Sequence, residues 1–529
     1  MTTTRTAVVL LGGLALVATA CAGPGDAGAS QTPVEGKTFT FSIGSDPGNL
    51  DPHMSVLSVT GQFDKFLYDS LLELTADGKP VPELAEKWDT TTTTATFTLR
   101  KGVTCADGAP LTAADVAANI VFVGDPVNKS PFAGLTVAPG TKATADEATR
   151  TVTVTSGAPD AFLLRNIGGL PIVCGKGLAD RKLLGKGESG TGMFAVSEAV
   201  PNDHYTFTRR KDYTWGPGDW KSTEPGLPDK VVVRVISNTS TAANLLLSGE
   251  LNAAAINGPD RQRLEARKLF HADYNAPLGE IFYNQAGGRP GEDEAVRRAL
   301  TQSLDLPQLG KVLTSGTGKP SQGMVTAEPK ACSGDTVTGN LPAHDPAAAA
   351  SALDAAGWKA GADGVRAKNG KRLTLTVIYG TQLGPTMAPT AELVQQTWKS
   401  LGAEVTLKGV DSPGLSQVLF GTGEWEVSLG PIGLALPSQL VPFVSGPAAP
   451  DGTNFAHIAN PAYDQGVKQA AAMSGEASCP TWTAAEASLI KRVDAVPYID
   501  SVVPTYGSGA KFTISQGAVT PSSIRMYAK

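Results

Sequence analysis

Histidine is scarce in this chain of 529 residues, as are long apolar runs and charge of one sign, and each scarcity closes a class of function. Only five histidines are present, and no two lie close enough in sequence to form a ligand pair. No two cysteines stand two to four residues apart, which excludes finger-like metal ligation. The 44 Lys and Arg against 50 Asp and Glu give a net charge of −6, spread along the chain without a basic block. That argues against nucleic acid or an anionic membrane face as a partner. Catalytic motifs are missing too. "GESGTG", Gly187 to Gly192, has its glycines wrongly placed for a nucleophile elbow. "SGTGKPS" puts Pro320 where a phosphate loop needs Ser or Thr. The chain is therefore expected not to be an enzyme and to need no cofactor or metal.

One apolar run stands apart. Ala7 to Ala20 is fourteen residues long, sits behind Arg5 and ends in small residues before Cys21. A spanning helix needs roughly twenty, so the layout is that of an export signal. "ATAC" resembles the bacterial lipobox, with Ala18 where Leu or Val is usual. The resemblance implies removal of residues 1–20 and a lipid on the Cys21 sulfur; a plain secretory signal cut near Ala22 is the alternative. Residues 21–36, rich in Gly, Ala, Pro and Ser, read as a flexible tether. A body anchored on the outer face of the cytoplasmic membrane is the expectation. No later run is long enough to span a bilayer, and the roughly 490 remaining residues exceed what one core usually supports, so two or three soluble lobes are expected.

The remaining cysteines, Cys105, Cys174, Cys332 and Cys479, form an even set in a chain with an export signal, which points to two disulfides. Three pairings are possible. Nearest-in-sequence pairing, Cys105 with Cys174 and Cys332 with Cys479, keeps each bridge inside one candidate lobe. "TFTFSIG" (Thr38 to Gly44) reads as a strand, and "TTTTTATFTLRKG" (Thr90 to Gly102) and "TRTVTVTSG" (Thr149 to Gly157) alternate at period two. Further on, "LTLTVIYG", "PTAELVQQTWKSLG" and "AEVTLKG" (Leu373 to Gly409) read as a βαβ unit. Before it, Asp345 as N-cap, Pro346 at the first helical position and Gly357 past the end punctuate a helix.

Nine segments in order carry a resemblance: "NLDPHMSV", "VPELAEKWD", "TFTLRKGVTCADGAPLTAADV", "DPVNKSPFAGL", "SGTGMFAV", "SGELNAAAI", "VRRALTQSLDLPQL", "AAAASALDAAGW" and "NPAYD". Together they resemble the bacterial extracytoplasmic solute-binding proteins of family 5, the oligopeptide and dipeptide class. The resemblance implies an α/β fold, the two-lobed clamshell of periplasmic-binding-protein type II (cluster C), with an extra β-rich subdomain on the first lobe. Mapped here, lobe I is 37–70 with 190–281 and 505–529, the subdomain 71–189 and lobe II 282–504, with hinge crossings near Phe282 to Gln285 and Pro504 to Gly509. It also implies a monomer that captures a peptide-like solute and delivers it to an ABC permease. A receptor for a sugar, metal chelate, haem or siderophore is the alternative, as is a regulatory lipoprotein that kept the fold without transport.

The same resemblance places ligand contacts at Ser55, Val56 and Ser58, at Phe132 as an aromatic cap, and at Tyr283 and Asn284 by the hinge, where Asn284 either faces the cleft or braces the hinge. In peptide binders of this family the stretch matching Glu424 to Leu440 often carries a tryptophan, then an aspartate for the peptide's α-amino group. Here Pro431 replaces the tryptophan, and no acidic residue lies between Glu426 and Asp451. An ammonium buried without a carboxylate is costly, so Gly430, Pro431, Ile432, Leu434, Ala435 and Leu436 read as an apolar floor. Either that floor takes a blocked or hydrophobic solute, or another carboxylate takes the amine.

Overall fold

The computed structural model describes residues 1–2, 32–258 and 260–528; the export signal, Cys21 and most of the tether lie outside the described residues. One mixed sheet runs through most of the molecule. From one edge its strands are 404–410, 374–380, 427–429, 270–283, 495–507, 253–255, 38–43, 230–235, 204–209 and 194–200. Thr374–Gly380 is parallel to both Glu404–Val410 and Val427–Leu429, and helix Met387–Ser400 connects the first pair: the expected βαβ unit. Thr38–Ile43 is parallel to Lys230–Val235 and Ala253–Ala255. Each half has its own core. Phe39, Phe63, Phe66 and Phe207 pack in lobe I; Trp398, Leu375, Val377 and Tyr283 pack in lobe II.

Two long antiparallel strands, Phe270–Tyr283 and Ala495–Gly507, join the halves. The first crossing strand pairs with Val427–Leu429 only at Ile281–Tyr283, and the second with Ala253–Ala255 only at Thr505–Gly507. Phe282 therefore stands within lobe II. The register breaks upstream of it, between Pro277 and Glu280, where a Cβ on Gly279 would collide with Ile499 and Tyr498.

The β-rich part outside this sheet is a four-stranded antiparallel sheet in the order 85–90, 94–99, 151–155, 142–146. In Thr94–Leu99 the alternation buries Ala95, Phe97 and Leu99 and leaves threonines on the other face. Thr91 to Thr93, part of the threonine run, form the turn before this strand. Helix Ala113–Gly124 packs on the sheet, opened by a capping box between Thr112 and Asp115. The Cys105–Cys174 disulfide lies in this part, and Cys332–Cys479 lies in lobe II. The helix expected after Asp345 spans Pro346–Ala355; the Asp345 carboxylate accepts from Ala348 N at 2.9 Å, and Gly357 takes a φ of +87°.

Candidate ligand-binding cleft

A cavity of about 250 Å³ opens where all three parts meet. Helix Ser58–Leu67 presents Asp64 and Lys65 to it, the β-rich part presents Phe132, Arg165 and Asn166, and lobe II presents Ala435, Leu436 and Gln439. A second cavity, about 310 Å³, adjoins the other end of that helix at the carboxyl ends of the parallel strands 38–43 and 253–255, lined by Ser45, Ser58, Ser237 and Thr505. Strand carboxyl ends are where open α/β sheets receive ligands. A third and larger cavity, about 380 Å³, lies among Leu304, His344 and Ser400 and has no lobe I wall.

Lobe II touches the β-rich part beside the first cavity. Arg165 Nη2 donates to Pro329 O at 2.6 Å, Gln439 Nε2 to Asn166 Oδ1 at 3.2 Å and Gly475 N to Ala161 O at 2.8 Å. Phe162 sits under Leu436, Ala470 and Trp482 of lobe II, its ring centroid 6.4 Å from that of Trp482. The two walls are thus held together by a small apolar contact and several hydrogen bonds.

Charge in the cavity is unevenly satisfied. Lys65 Nζ is held by Glu73 at 2.8 Å. Asp64, only 8 % exposed, leaves Oδ1 buried with no hydrogen-bond partner. Burial, reinforced by Asp51, pushes its carboxyl well above the usual range, and Lys65 only partly opposes this. Arg165 likewise leaves Nε buried without a partner.

Of the residues expected to meet a ligand, Phe132 lines the first cavity and Ser58 the second. Val56 is 56 % exposed beside exposed Leu57, while Ser55 Oγ is engaged with Thr60 Oγ1 at 2.9 Å. Gly430, Pro431 and Ile432 follow strand Val427–Leu429 and are half-buried. They are tied to the first crossing strand: Gly430 N donates to Glu280 O at 3.0 Å and Ile432 N to Glu280 Oε2 at 2.9 Å. Glu280 is buried with Oε1 unpartnered, and burial pushes its carboxyl well up. Leu434 is buried; Ala435 and Leu436 reach the first cavity.

Tyr283 ends the first crossing strand and Asn284 follows it. Tyr283 is fully buried in the lobe II core, its hydroxyl 2.8 Å from Thr301 Oγ1 and its ring against Trp398. Asn284 is 1 % exposed and braces a loop, donating to Trp425 O at 3.0 Å and accepting from Ala286 N at 3.1 Å. Neither lines the two cavities bounded by lobe I. Asp64 and Arg165 were missed by the sequence reading. The available signal was an acid set among Thr60, Phe63 and Leu67 on the buried face of helix Ser58–Leu67.

Among the described residues no helix is long and apolar enough to cross a membrane, and no group of three or more His, Cys, Asp or Glu is arranged to hold a metal ion.

The sequence matches the family described as bacterial extracellular solute-binding proteins, family 5, over residues 79–442. It is 28% identical over 475 residues to Protein XP55 of Streptomyces lividans, covering 85% of this chain and 80% of that protein. The dipeptide-binding protein DppE of Bacillus subtilis is 25% identical over 395 residues, 69% of either chain. A substrate-binding protein of Microbacterium hydrocarbonoxydans, solved with 4-hydroxybenzoate hydrazide, is 24% identical with a TM-score of 0.75, over 93% of this chain and 100% of that one. That likeness shows the fold, the two-lobed periplasmic-binding-protein type II clamshell of cluster C. The matched family is one of solute-binding proteins, not of enzymes.

Proposed function

Because the chain belongs to the bacterial extracellular solute-binding proteins of family 5, we propose that it captures a small peptide-like solute between its lobes and hands it to the permease of an ABC importer. The observation that carries this reading is the cavity walled at once by helix Ser58–Leu67, by Phe132 and Asn166, and by Leu436 and Gln439. A solute lodged there touches both lobes and so favours the closed arrangement by its differential affinity. In this reading lobe I comprises 37–70, 190–281 and 505–529, the subdomain 71–189 and lobe II 282–504. Phe132 caps the solute, Ser55, Val56 and Ser58 form the rim on lobe I, and Gly430, Pro431 and Ile432 continue the floor toward the crossing strands. A lipid on Cys21 holds the monomeric body beside its permease, outside the cytoplasm; more than one acyl chain is needed for firm anchoring.

The run from Gly430 to Leu436, free of any acid, favours a second reading in which the solute is not a peptide, as with the hydrazide in the Microbacterium structure. Native mass spectrometry of protein purified from Gln31 onward, followed by calorimetry with peptides and with uncharged sugars, separates the two. A co-purifying peptide-like mass and micromolar or tighter peptide binding are expected; binding of sugars alone overturns the peptide reading. The mass of the exported full-length chain is expected to show acyl groups on Cys21, and an unmodified cysteine refutes the anchor.

A further inference from the structure

We propose that Asp64 on lobe I is the cation-receiving pole of the cleft and Arg165 on the β-rich part its anion-receiving pole, so that the solute captured carries both charges. The inference rests on the capture reading above and adds a specificity to it.

Both groups line the same cavity of about 250 Å³, slightly below the usual range for small-molecule pockets. Asp64 is more than nine-tenths buried, and its Oδ1 has no partner. Lys65, the cation that acts on it, is already committed to Glu73 at 2.8 Å. A carboxylate taken from water without a countercharge is among the least tolerable groups in a protein interior. A fold that retains one at a cavity wall has left its partner to come from outside. An ammonium or guanidinium on the solute supplies that partner, and burial that now favours the neutral acid then favours the ion pair.

Arg165 is only partly satisfied, with Glu476 near enough to favour its charge. Nη2 donates to Pro329 O at 2.6 Å, while Nε is buried and unpartnered. A carboxylate or other planar anion on the solute satisfies the guanidinium in the geometry it prefers. Asn166, Gln439 and Thr136 line the same cavity with neutral polar groups. The poles belong to different parts of the molecule, so a solute spanning them ties lobe I to the wall that lobe II closes upon. This gives the carboxylate that the Gly430 to Leu436 stretch lacks a place on the opposite side of the cleft.

The test is calorimetry on wild type, Asp64→Asn and Arg165→Gln with four probes: alanyl-leucine, its N-acetyl form, its C-terminal amide, and maltose. Wild type is expected to bind the free dipeptide most tightly. Asp64→Asn should weaken that binding about 10- to 100-fold and abolish the preference over the N-acetyl form. Arg165→Gln should abolish the preference over the amide. Asp64→Asn is isosteric with the neutral acid that burial favours without solute, so it should then melt no lower than wild type. Equal binding of free and blocked dipeptides by wild type, or undiminished binding of the free form by Asp64→Asn, overturns the two-pole assignment alone. Equal losses on free and blocked probes mean a structural role for Asp64 and overturn it as well. Binding of maltose but no dipeptide overturns the two-pole assignment together with the peptide reading, and failure of all four probes on wild type overturns the capture reading with it.

Discussion

Closure of the cleft should depend on Phe162, although that residue lines no cavity described above. Its side chain is 3 % exposed, and much of its cover comes from the facing lobe: Leu436, Ala470 and Trp482. Separating the walls exposes the ring, so its burial counts toward closure. Full burial of such a side chain is worth about 1.5–3 kcal/mol. With part of the cover supplied by lobe II, Phe162→Ala should weaken the closed state by about 1–2 kcal/mol, roughly 5- to 30-fold in the ratio of closed to open. In a protein that binds by closing, the apparent Kd rises by about the same factor. Calorimetry with a bound solute measures that rise, and small-angle scattering measures the radius of gyration with and without it. The reasoning fails if Kd stays within twofold while unfolding stability falls by the about 3–5 kcal/mol typical of a core Phe→Ala change. Phe162 would then belong to the core of its own subdomain.

Arg297 is 1 % exposed and donates to Gly291 O, Val493 O and Asp494 Oδ1 at 2.9 to 3.0 Å; Arg297→Met should strand buried Asp494 and cost about 3–5 kcal/mol in urea unfolding, and a loss under 1 kcal/mol would contradict this. Replacing Cys332 and Cys479 together by alanine should lower stability by about 2–5 kcal/mol, with a fall in the thermal midpoint as the readout and an unchanged midpoint as the refutation. Burial raises the Asp500 carboxyl to about 6, with Ser321 and Lys330 opposing, and raises Glu280 in the same direction. The folded state then binds more protons than the unfolded one, so stability should fall as pH rises from about 4 to 6 and Asp500→Asn should flatten that slope; a slope of the opposite sign specific to Asp500 would be inconsistent.

What could be read from the chain in advance was whatever depends on neighbours in sequence. The helix after Asp345 is set by its cap, by Pro346 and by Gly357, all within a few residues of one another. The strand Thr94–Leu99 announces itself by alternation because one face is wet. The first crossing strand defeats that logic: Gly279 to Tyr283 are buried at every position, so period two carries no information about which side chain faces a cleft. Tyr283 and Asn284, placed by likeness, are both buried. Asp64 was invisible for a different reason. Its meaning lies in the lack of a partner, and a missing partner shows only when Glu73 is found beside Lys65 and Arg181 beside Asp51, residues 8 and 130 positions apart in sequence.

The return of the second crossing strand to lobe I also governs the order in which the molecule can be built. Phe512, Val519, Ile524 and Met526 belong to the same core as Phe39 and Phe41, with Phe39 and Phe512 rings 5.9 Å apart and Val34 N donating to Met526 O at 2.9 Å. A chain emerging from the ribosome amino end first therefore carries an open-sided lobe I until residues 510–526 appear, after the last lobe II core residue, Ile499. Pairings of such long sequence separation form slowly. Lobe I thus completes its core only when residues 510–526 are in place, whatever lobe II has formed before.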